Sequence, residues 1–472
     1  MLVQSFSGIR GVFGIDLTED IARRYVYCYY SFLKNRLKKE PSVVIGTDTR
    51  SSNQSLKEIV IDVFSEMIDL GIATTPMAEL AVREYKTDGG IMITASHNEP
   101  EWNGFKFLDK DGAVLRPDDM AFIIERFDKI KGLEEELFLN EHLYKNVLKN
   151  KVKRITKRHD DIQKRYFNFV LKTIGKKKIG LIKKAGLKAV LDPNGGAGVV
   201  VGGIFKKAGV KVIEVNSKAG EFNRIIEPNE TSLKYLKDAI INNKTDLAAG
   251  FDCDADRVEL VLANGRVVSG NYVLALAVDD VLSSLKTPEK ETVIVNDATS
   301  NIIKEIAGKY NAKVEETEAG ETNVVDRMLY NKSKIGGEGS SAGVVLPPSR
   351  CRDGVITLLL ILTIIAKKKK KIDEIIDEYP KYYNTAVKVE SGEDYNKVRK
   401  AIKGYYSKKL LPIQELGDET GSLKVLVSKK SFVWFRKSKT EGNIIRVIAD
   451  SDSKNEAERL SREGVRVLRK LP

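Results

Sequence analysis

A chain of 472 residues is too long for one hydrophobic core, which predicts two to four domains. Its 42% hydrophobic and 31% charged residues are typical of a globular protein rather than a disordered or fibrous one. The net charge of +13 comes from lysines and arginines spread along the chain without interleaved aromatic residues. Such runs are usually solvated, so we expect no nucleic-acid partner.

No targeting or membrane segment is predicted. The N-terminal MLVQSFSGIRGVFG lacks the charged-then-apolar order of a signal peptide. The most apolar run, VITLLLILTIIA at 355–366, is short for a membrane span and precedes five lysines, which predicts a buried helix with a cationic C-terminal end. The three cysteines, Cys28, Cys253 and Cys351, are scattered without a CxxC pair, which indicates reduced thiols in a cytoplasmic protein.

A strand-like apolar run that ends in an Asp-containing turn occurs three times along the chain. The three runs are SVVIGTDTR at 42–50, KAVLDPNGG at 188–196 and TVIVNDATS at 292–300. Each is followed by a helix-like stretch, then a glycine and a second apolar run. Units of this kind form a parallel sheet with helices on both faces, so the pattern predicts three related α/β domains.

A third apolar run in each unit opens into a polar loop. The three segments are GGIMITASHNEP at 89–100, TDLAAGFDCDADR at 245–257 and KIGGEGSSAG at 334–343. In parallel sheets, ligands bind beyond the carboxyl ends of the strands, so we expect the three loops to line a central cleft.

The last part of the chain has a different pattern. From about residue 376 apolar and polar residues alternate, and the chain ends in a helix-like stretch, which predicts a smaller α+β domain with an antiparallel sheet. Residues 120–166 are highly charged and predicted to be helical. The predicted fold is therefore three α/β domains with mixed, largely parallel sheets around the cleft, plus the C-terminal domain. The predicted domain ranges are 1–150, 151–260, 261–375 and 376–472.

The acidic loop carries the most specific signal for a ligand. Asp252, Asp254 and Asp256 stand at alternate positions, so three hard oxygen ligands can converge on a divalent cation such as Mg²⁺. An EF-hand needs Gly at loop position six and Glu at position twelve, where this chain has Arg257 and Ala263. A solvated acidic turn is the alternative, although three neighbouring carboxylates repel one another without a cation. Arg257 is placed to reach a phosphate beside the metal.

The serine in TASHN has two interpretations from the residues alone. Ser96 suits a helix cap with a structural His97, and adjacent side chains of a strand point to opposite faces, which is poor geometry for a catalytic triad. A phosphorylatable Ser96 that faces a metal loop needs no such triad.

Two further loops suit a phosphate and a sugar. In RKSKTEGNIIR at 436–446, Arg436, Ser438, Thr440 and Arg446 offer guanidinium and hydroxyl groups to a phosphate, although a polar hairpin tip has the same composition. Glu338 in GGEGSSAG could accept hydrogen bonds from sugar hydroxyls, or the segment is simply a glycine-rich turn.

Taken together and in this order, the loops resemble those of the α-D-phosphohexomutase superfamily, which includes phosphomannomutase/phosphoglucomutase and phosphoglucosamine mutase. The resemblance spans nearly the whole chain. TASHNEPEWNGFK is similar to the phosphoserine motif TASHNPxxxNGxK, FDCDADR to the metal loop DGDADR, GGEGS to the sugar loop GExS, and RKSKTEG to the phosphate loop RxSxTE. SGIRG at 7–11 and GTDTRSS at 46–52 match two further family segments.

The resemblance implies an isomerase that passes a phosphoryl group between positions 1 and 6 of a hexose phosphate. Ser96 would be the phosphorylated residue, and its phosphate would hold Mg²⁺ together with the three aspartates. The remaining catalytic residues implied are Arg10, His97, Lys106 and Arg257. A hexose 1,6-bisphosphate would be both intermediate and activator.

The resemblance also implies the substrate contacts. Glu338 and Ser340 would bind the sugar. The non-reacting phosphate would be held by Arg436, Ser438, Thr440 and Arg446. We expect a monomer or homodimer that binds neither nucleic acid nor membranes.

Several positions depart from the family motifs. Ala342 replaces a histidine that is often implicated in proton transfer, and Lys439, Gly442, Glu99 and Cys253 replace other motif residues. Because Ala342 lies in the sugar loop, phosphoglucosamine mutase remains the alternative activity. A sugar-phosphate-binding protein with little catalysis is the alternative from another class.

Overall fold

A computed structural model of the chain describes residues 2–5, 7–130, 154–339, 343–438 and 443–469. Among the predicted site residues, Ser340 and Thr440 lie outside these ranges, as does Ala342. The chain divides into two compact units: the first contains Met1–Val267 and Pro348–Ala366, and the second contains Val268–Pro347 and Lys367–Pro472.

The first unit begins with a mixed seven-stranded sheet in the order β1-β2-β6-β5-β3-β4-β7. Its strands are β1 (Val3–Ser5), β2 (Gly8–Val12), β3 (Ser42–Thr47), β4 (Glu66–Ile72), β5 (Gly89–Ile93), β6 (Trp102–Leu108) and β7 (Arg154–Lys157). Strands β5, β3, β4 and β7 are parallel, whereas β1, β2 and β6 pair antiparallel. The apolar runs of β3 and β5 are buried almost throughout, as expected of strands covered on both faces.

A second sheet, whose strands belong to the first unit as far as Val267, has five strands in the order β12-β11-β10-β8-β9. The strands are β8 (Lys188–Asp192), β9 (Lys211–Glu214), β10 (Leu247–Phe251), β11 (Val258–Val261) and β12 (Val267–Val268). Strands β9, β8 and β10 are parallel, and β11 pairs antiparallel with β10. The acidic loop therefore leaves the carboxyl end of a parallel strand.

Helices flank both sheets of the first unit. They are α1 (Glu19–Leu37), α2 (Asn53–Val63), α3 (Thr75–Tyr85), α4 (Pro117–Ile130), α5 (His159–Ile174), α6 (Lys176–Ala185), α7 (Gly202–Lys207), α8 (Glu230–Leu233) and α9 (Leu236–Asn243), with a 3₁₀ helix at Ala197–Val200. The apolar run at 355–366 forms a helix, Gly354–Lys368, whose residues from Val355 to Ala366 are buried and whose last turn is basic. The prediction of a buried helix with a cationic end is confirmed.

The second unit contains the third and fourth sheets. The third sheet, in the order β14-β13-β15-β16, consists of β13 (Thr292–Asn296), β14 (Lys313–Thr317), β15 (Gly336–Glu338) and β16 (Gly343–Val345). The fourth sheet, in the order β17-β21-β20-β19-β18, consists of β17 (Tyr383–Glu390), β18 (Ile413–Leu416), β19 (Ser422–Leu426), β20 (Phe432–Lys437) and β21 (Ile444–Ser451). Every pair in the fourth sheet is antiparallel.

The helices that complete the described chain are α10 (Gly270–Leu282), α11 (Ile302–Gly308), α12 (Glu321–Asn331), α13 (Gly354–Lys368), α14 (Ile372–Asp377), α15 (Tyr395–Ser407) and α16 (Lys454–Arg469), with a 3₁₀ helix at Pro288–Lys290. Three sheets with α/β connections and a C-terminal antiparallel sheet confirm the predicted class of three α/β domains plus an α+β domain. The four predicted domain ranges stay predictions.

The charged segment 120–166 differs from its helical prediction. Helices α4 and α5 cover its two ends, but residues 154–157 form β7, which extends the first sheet by pairing in parallel with β4. The side chains of RITK are largely exposed, so the strand has no apolar alternation that sequence inspection could detect. None of the helices in the described ranges combines the length and the apolar composition that a membrane span requires.

Candidate active site

Ser96 lies on the loop that follows β5, and its backbone is strained. Its side chain is 1% exposed, and its φ of 51° lies in the left-handed region that non-glycine residues seldom adopt. The Ser96 N–H donates to Thr94 Oγ1 over 2.9 Å, which helps to hold the loop in this conformation. Strain of this kind costs of order 1–3 kcal/mol and is concentrated at functional sites.

The acidic loop after β10 forms a buried carboxylate cluster. Asp252, Asp254 and Asp256 are fully buried, and each offers an oxygen within 4.8 Å of the others'. Ser96 Oγ donates to Asp252 Oδ2 over 3.0 Å, so the serine hydroxyl faces this cluster rather than an imidazole. The structure thus brings two loops that are 156 residues apart in sequence into direct contact.

The Oδ2 atoms of Asp254 and Asp256 accept hydrogen bonds from neighbouring side chains. Asp254 Oδ2 accepts from Thr75 Oγ1 at 2.5 Å and from Lys106 Nζ at 2.6 Å. Asp256 Oδ2 accepts from Lys106 Nζ at 3.1 Å and from the Arg352 guanidinium at 3.3 Å. The Oδ1 atoms of Asp254 and Asp256 are buried and accept no hydrogen bond from any residue that the structure describes.

Burial and mutual repulsion shape the protonation of the cluster. Burial, together with Asp256 and Asp254, raises the pKa of Asp252 well above its ordinary value. Burial acts in the same direction on Asp254, but hydrogen bonds from Lys106 and Thr75 leave the pKa of Asp254 below its ordinary value. Burial is likewise outweighed at Asp256, where Lys106, Arg352 and Arg257 lower the pKa.

These residues fit a small divalent cation. Three buried carboxylates supply hard oxygen ligands, and two of them retain an oxygen that no described hydrogen bond satisfies. Buried acceptors without partners are costly, and a bound cation would satisfy them.

Cationic side chains surround the serine loop and the cluster. The Arg10 guanidinium donates to Ala95 O and to Asn98 Oδ1, each over 3.3 Å. Burial, aided by Arg257 and Arg50 and opposed by Asp254 and Asp256, lowers the pKa of Arg10 to about 10.

Arg257 and His97 complete the predicted catalytic set. Arg257 Nε lies 3.9 Å from Asp252 Oδ2 and 3.7 Å from Asp256 Oδ1. His97 is half-buried and follows Ser96, whose hydroxyl donates to Asp252 instead. Of the predicted residues, Ser96, Lys106 and Arg257 therefore lie against the aspartates, and Arg10 on β2 contacts the serine loop.

Three residues that contact this site were missed in the sequence. Thr75 and Arg352 bind the aspartates directly, and neither belongs to one of the family motifs. Arg50 belongs to GTDTRSS, and its buried guanidinium donates to Asp48 Oδ2 at 2.6 Å and to Ser96 O at 3.2 Å. That match to a family segment was the available signal for Arg50.

In the second unit, Glu338 ends β15 and is held by hydrogen bonds. Its Oε1 accepts from Asn296 Nδ2 at 2.8 Å and from the Gly320 N–H at 3.0 Å. Asn296 in turn accepts from Thr299 Oγ1 at 2.7 Å. This network fixes the orientation of a buried carboxylate at the end of a strand.

Two arginines stand opposite each other in the hairpin of β20 and β21. Arg436 pairs with Arg446 in the strand register, and the Arg436 guanidinium donates to Glu318 Oε1 over 2.8 Å. Like charges directly opposite each other are destabilising, and Glu318 supplies a negative charge beside this pair. The Ser438 N–H donates to Ile444 O over 2.8 Å at the described edge of the turn.

Comparisons with known proteins agree with this architecture. Three phosphoglucomutase/phosphomannomutase domain models match the chain: α/β/α domain I at residues 3–134, domain II at 164–265 and domain III at 269–383. A phosphoglucomutase/phosphomannomutase from Thermococcus kodakarensis is 32% identical over 98% of this chain and 97% of its own. A phosphoglucosamine/phosphogalactosamine mutase from Sulfurisphaera tokodaii is 28% identical over 97% of this chain and 96% of its own.

Solved structures share the fold at lower identity. A phosphoglucomutase/phosphomannomutase family protein from Burkholderia thailandensis has a TM-score of 0.77 at 21% identity, covering 99% of this chain and 98% of its own. An N-acetylphosphoglucosamine mutase from Aspergillus fumigatus, in complex with GlcNAc-6P and magnesium, has a TM-score of 0.59 at 16% identity, covering 99% and 95%.

The fold, the ordered loops and these matches define a phosphomutase, a phosphotransferase of the isomerase class. The chain belongs to the phosphoglucomutase/phosphomannomutase family of the α-D-phosphohexomutase superfamily.

Proposed function

We propose that the protein interconverts hexose 1-phosphate and hexose 6-phosphate, as a phosphomannomutase/phosphoglucomutase, through a phosphoserine at Ser96. The observation that carries the proposal is the Ser96 hydroxyl, buried and 3.0 Å from Asp252 within a cluster of three carboxylates. The hydroxyl donates to a carboxylate, and a serine in this position is well placed to carry a phosphoryl group beside a cation.

Mg²⁺ would be held by Asp252, Asp254 and Asp256 together with a phosphate oxygen on Ser96. When bound, the ion would neutralise negative charge on the transferring phosphoryl group. The unsatisfied Oδ1 atoms of Asp254 and Asp256 support this assignment.

The chain's own residues would position and neutralise the reacting groups. In the first half-reaction the bond between phosphorus and Ser96 Oγ breaks, and a bond forms between phosphorus and a sugar hydroxyl oxygen. The proton that this hydroxyl loses is balanced by the proton that Ser96 Oγ gains. Ser96 becomes a hydroxyl that donates to Asp252 Oδ2, the hydrogen bond present in the structure. Lys106, Arg10 and Arg257 supply positive charge near this transfer, and His97 would contact the phosphate.

In the second half-reaction the sugar bisphosphate returns its other phosphoryl group to Ser96. A hexose 1,6-bisphosphate is therefore the intermediate and would activate unphosphorylated enzyme. Glu338, with Ser340, would accept hydrogen bonds from the sugar. Arg436, Ser438, Thr440 and Arg446 would hold the non-reacting phosphate, with the Arg436–Arg446 pair as the cationic centre.

The hexose is the finer part of the proposal. Glucose and mannose phosphates are favoured because the Thermococcus kodakarensis relative bears that name at 32% identity. Glucosamine phosphate is the alternative, since the Sulfurisphaera tokodaii relative is named for amino sugars. Turnover of the glucose, mannose and glucosamine 1-phosphates, compared under one set of conditions, distinguishes the two.

The test of the mechanism is Ser96→Ala, with Ser333→Ala as a matched control in which another buried serine is removed. Intact mass spectrometry of the wild-type chain and the control should find one phosphate that is missing from Ser96→Ala. Turnover with Mg²⁺ and bisphosphate should fall by at least about 10³-fold in Ser96→Ala alone. A wild type that lacks both the phosphate and turnover would refute the mutase. Tight sugar-phosphate binding, with turnover no better than Ser96→Ala, would indicate a binding protein instead.

We further propose a cytoplasmic monomer or homodimer without nucleic-acid or membrane partners. The three free, buried cysteines support a reducing compartment.

A further inference from the structure

The segment before α13 reaches the acidic loop from a part of the chain that the family motifs do not include. Arg352 is 7% exposed, and its guanidinium donates to Asp256 Oδ2 over 3.3 Å. The two residues are 96 positions apart in sequence, and both belong to the first unit.

Arg352 is attached to a rigid framework. The next residue, Asp353, is fully buried and accepts from the N–H groups of Val355 and Ile356, each over 3.0 Å, at the start of α13. The Tyr166 hydroxyl, from α5, lies 2.8 and 2.9 Å from the two Asp353 oxygens. The backbone that carries Arg352 is therefore anchored to two helices, and its side chain is buried rather than extended over the surface.

This support decides which oxygen of Asp256 is available. Oδ2 receives both Lys106 and Arg352, whereas Oδ1 accepts no hydrogen bond from the described part of the chain. A carboxylate with one oxygen committed to two cationic donors can ligate a metal through its other oxygen only. Mg²⁺ requires compact octahedral geometry with single oxygens, whereas Ca²⁺ takes more ligands and readily accepts both oxygens of one carboxylate.

We propose that Arg352 is a positioning residue that makes the aspartate cluster selective for Mg²⁺ over Ca²⁺, by holding Asp256 to one ligating oxygen. The proposal rests on the metal site of the proposed function.

Charge and geometry must be separated in the test. The positive charge of Arg352 opposes every divalent cation, so its removal strengthens binding of Mg²⁺ and Ca²⁺ alike. Releasing Asp256 Oδ2 favours only the ion that can use both oxygens. The ratio of the two affinities therefore isolates the effect of geometry.

The experiment uses the full-length chain and measures how Mg²⁺ and Ca²⁺ each displace Mn²⁺, followed by the electron paramagnetic resonance of free Mn²⁺. Arg352→Met removes the charge and the donors at nearly constant length. We expect the affinity ratio to shift about tenfold towards Ca²⁺, the lower end of the range for partners of metal ligands. Arg352→Lys keeps a cationic donor and should keep most of the wild-type ratio. Arg116→Met is the matched control, because Arg116 pairs with Asp109 and Asp111 instead of the metal loop.

A ratio unchanged within about twofold in folded Arg352→Met, even with both affinities raised, would overturn the proposal because only charge would then be involved. An equal shift in Arg116→Met would overturn it as well. If Arg352→Met does not fold, as judged by circular dichroism, Arg352→Gln replaces it, and the same shift must appear there. A wild type that binds no Mn²⁺ would refute the metal site itself, which is a separate result.

Discussion

Each compact unit buries a lysine among carboxylates, and the two clusters differ in what they leave unsatisfied. Lys106 on β6 is 5% exposed and contacts Asp254 and Asp256. Lys424 on β19 is 1% exposed, donates to Glu316 Oε1 and to Asp297 O over 2.9 Å each, and lies 4.0 Å from the centre of the Phe432 ring.

The surroundings of Lys424 are those of a structural cluster. Asp297 Oδ2 accepts from Ser422 and from Trp434 Nε1, and Lys304 makes a second ion pair with Glu316. Burial lowers the pKa of Lys424 although Glu316 opposes the shift, and burial raises the pKa of Asp297. One buried oxygen of Asp297 also lacks a hydrogen bond, but in the described residues only Asp252, Asp254 and Asp256 form a three-carboxylate cluster suited to a metal.

The comparison shows that burying a charge does not by itself mark a functional site. Both lysines are buried and paired, as a buried charge must be. The cluster around Lys106 differs because its three carboxylates converge and two of their oxygens, on Asp254 and Asp256, accept no hydrogen bond from the described residues. Replacing Lys106 should therefore impair catalysis, whereas the matched replacement of Lys424 should lower stability.

The largest expected effect is on catalysis by Lys106→Met. Lys106 pairs with both Asp254 and Asp256, so its removal should lower kcat/KM by about 10³-fold, roughly 4 kcal/mol of transition-state stabilisation. Steady-state kinetics with the hexose phosphate that the wild type turns over fastest measures this. Activity within about tenfold of wild type would mean that Lys106 acts like Lys424, as a structural charge.

Lys424→Met should lower stability instead of catalysis. Breaking a buried ion pair leaves Asp297 O and Glu316 with one partner fewer, so we expect a loss of about 3 kcal/mol in the free energy of unfolding. Urea unfolding, followed by the fluorescence of Trp434 in a Trp102→Phe background, reports on this cluster. We expect kcat/KM of the folded variant to stay within about threefold of wild type; a larger loss at full stability would contradict the comparison.

Asp353, which anchors Arg352, makes stability depend on pH. Burial raises the pKa of Asp353 to about 6 from the ordinary 3.8, so between these values the folded chain binds more protons than the unfolded one. Its contribution is therefore fully present below pH 3.8 and is lost as the pH rises through about 6. Relative to Asp353→Asn, the wild type should lose roughly 2–3 kcal/mol between about pH 4 and pH 7. Urea unfolding, followed by Trp102 fluorescence in a Trp434→Phe background, measures this difference in the free energy of unfolding. A difference that stays constant or rises with pH would contradict the prediction.

The smallest effect is expected from Trp434→Phe. The substitution removes one of the two donors to Asp297 Oδ2 and keeps most of the aromatic packing, which should cost about 1 kcal/mol. Hydrogen exchange of β19 and β20 measures the loss. No change there would show that Ser422 alone satisfies Asp297.

The sequence predicted the parts of the fold that depend on local pattern. Strands β3, β5, β8, β10 and β13 could be predicted because strands covered on both faces are almost entirely apolar. The buried helix at 355–366 could be predicted for the same reason. Strand β7 could not be predicted, because this exposed four-residue strand is held by backbone pairing with β4 rather than by its own side chains.

For the candidate site, the sequence by itself determined which groups are present: a serine after a buried strand, three alternating aspartates and the ordered motifs of the family. Only the tertiary structure decided how they are used. Thr75, Lys106 and Arg352 come from separate segments of the chain. Their hydrogen bonds all go to the Oδ2 atoms of Asp254 and Asp256, and the two Oδ1 atoms accept none from the described residues. The spacing of residues along the chain cannot encode that choice, because it depends on hydrogen bonds between side chains that only folding brings together.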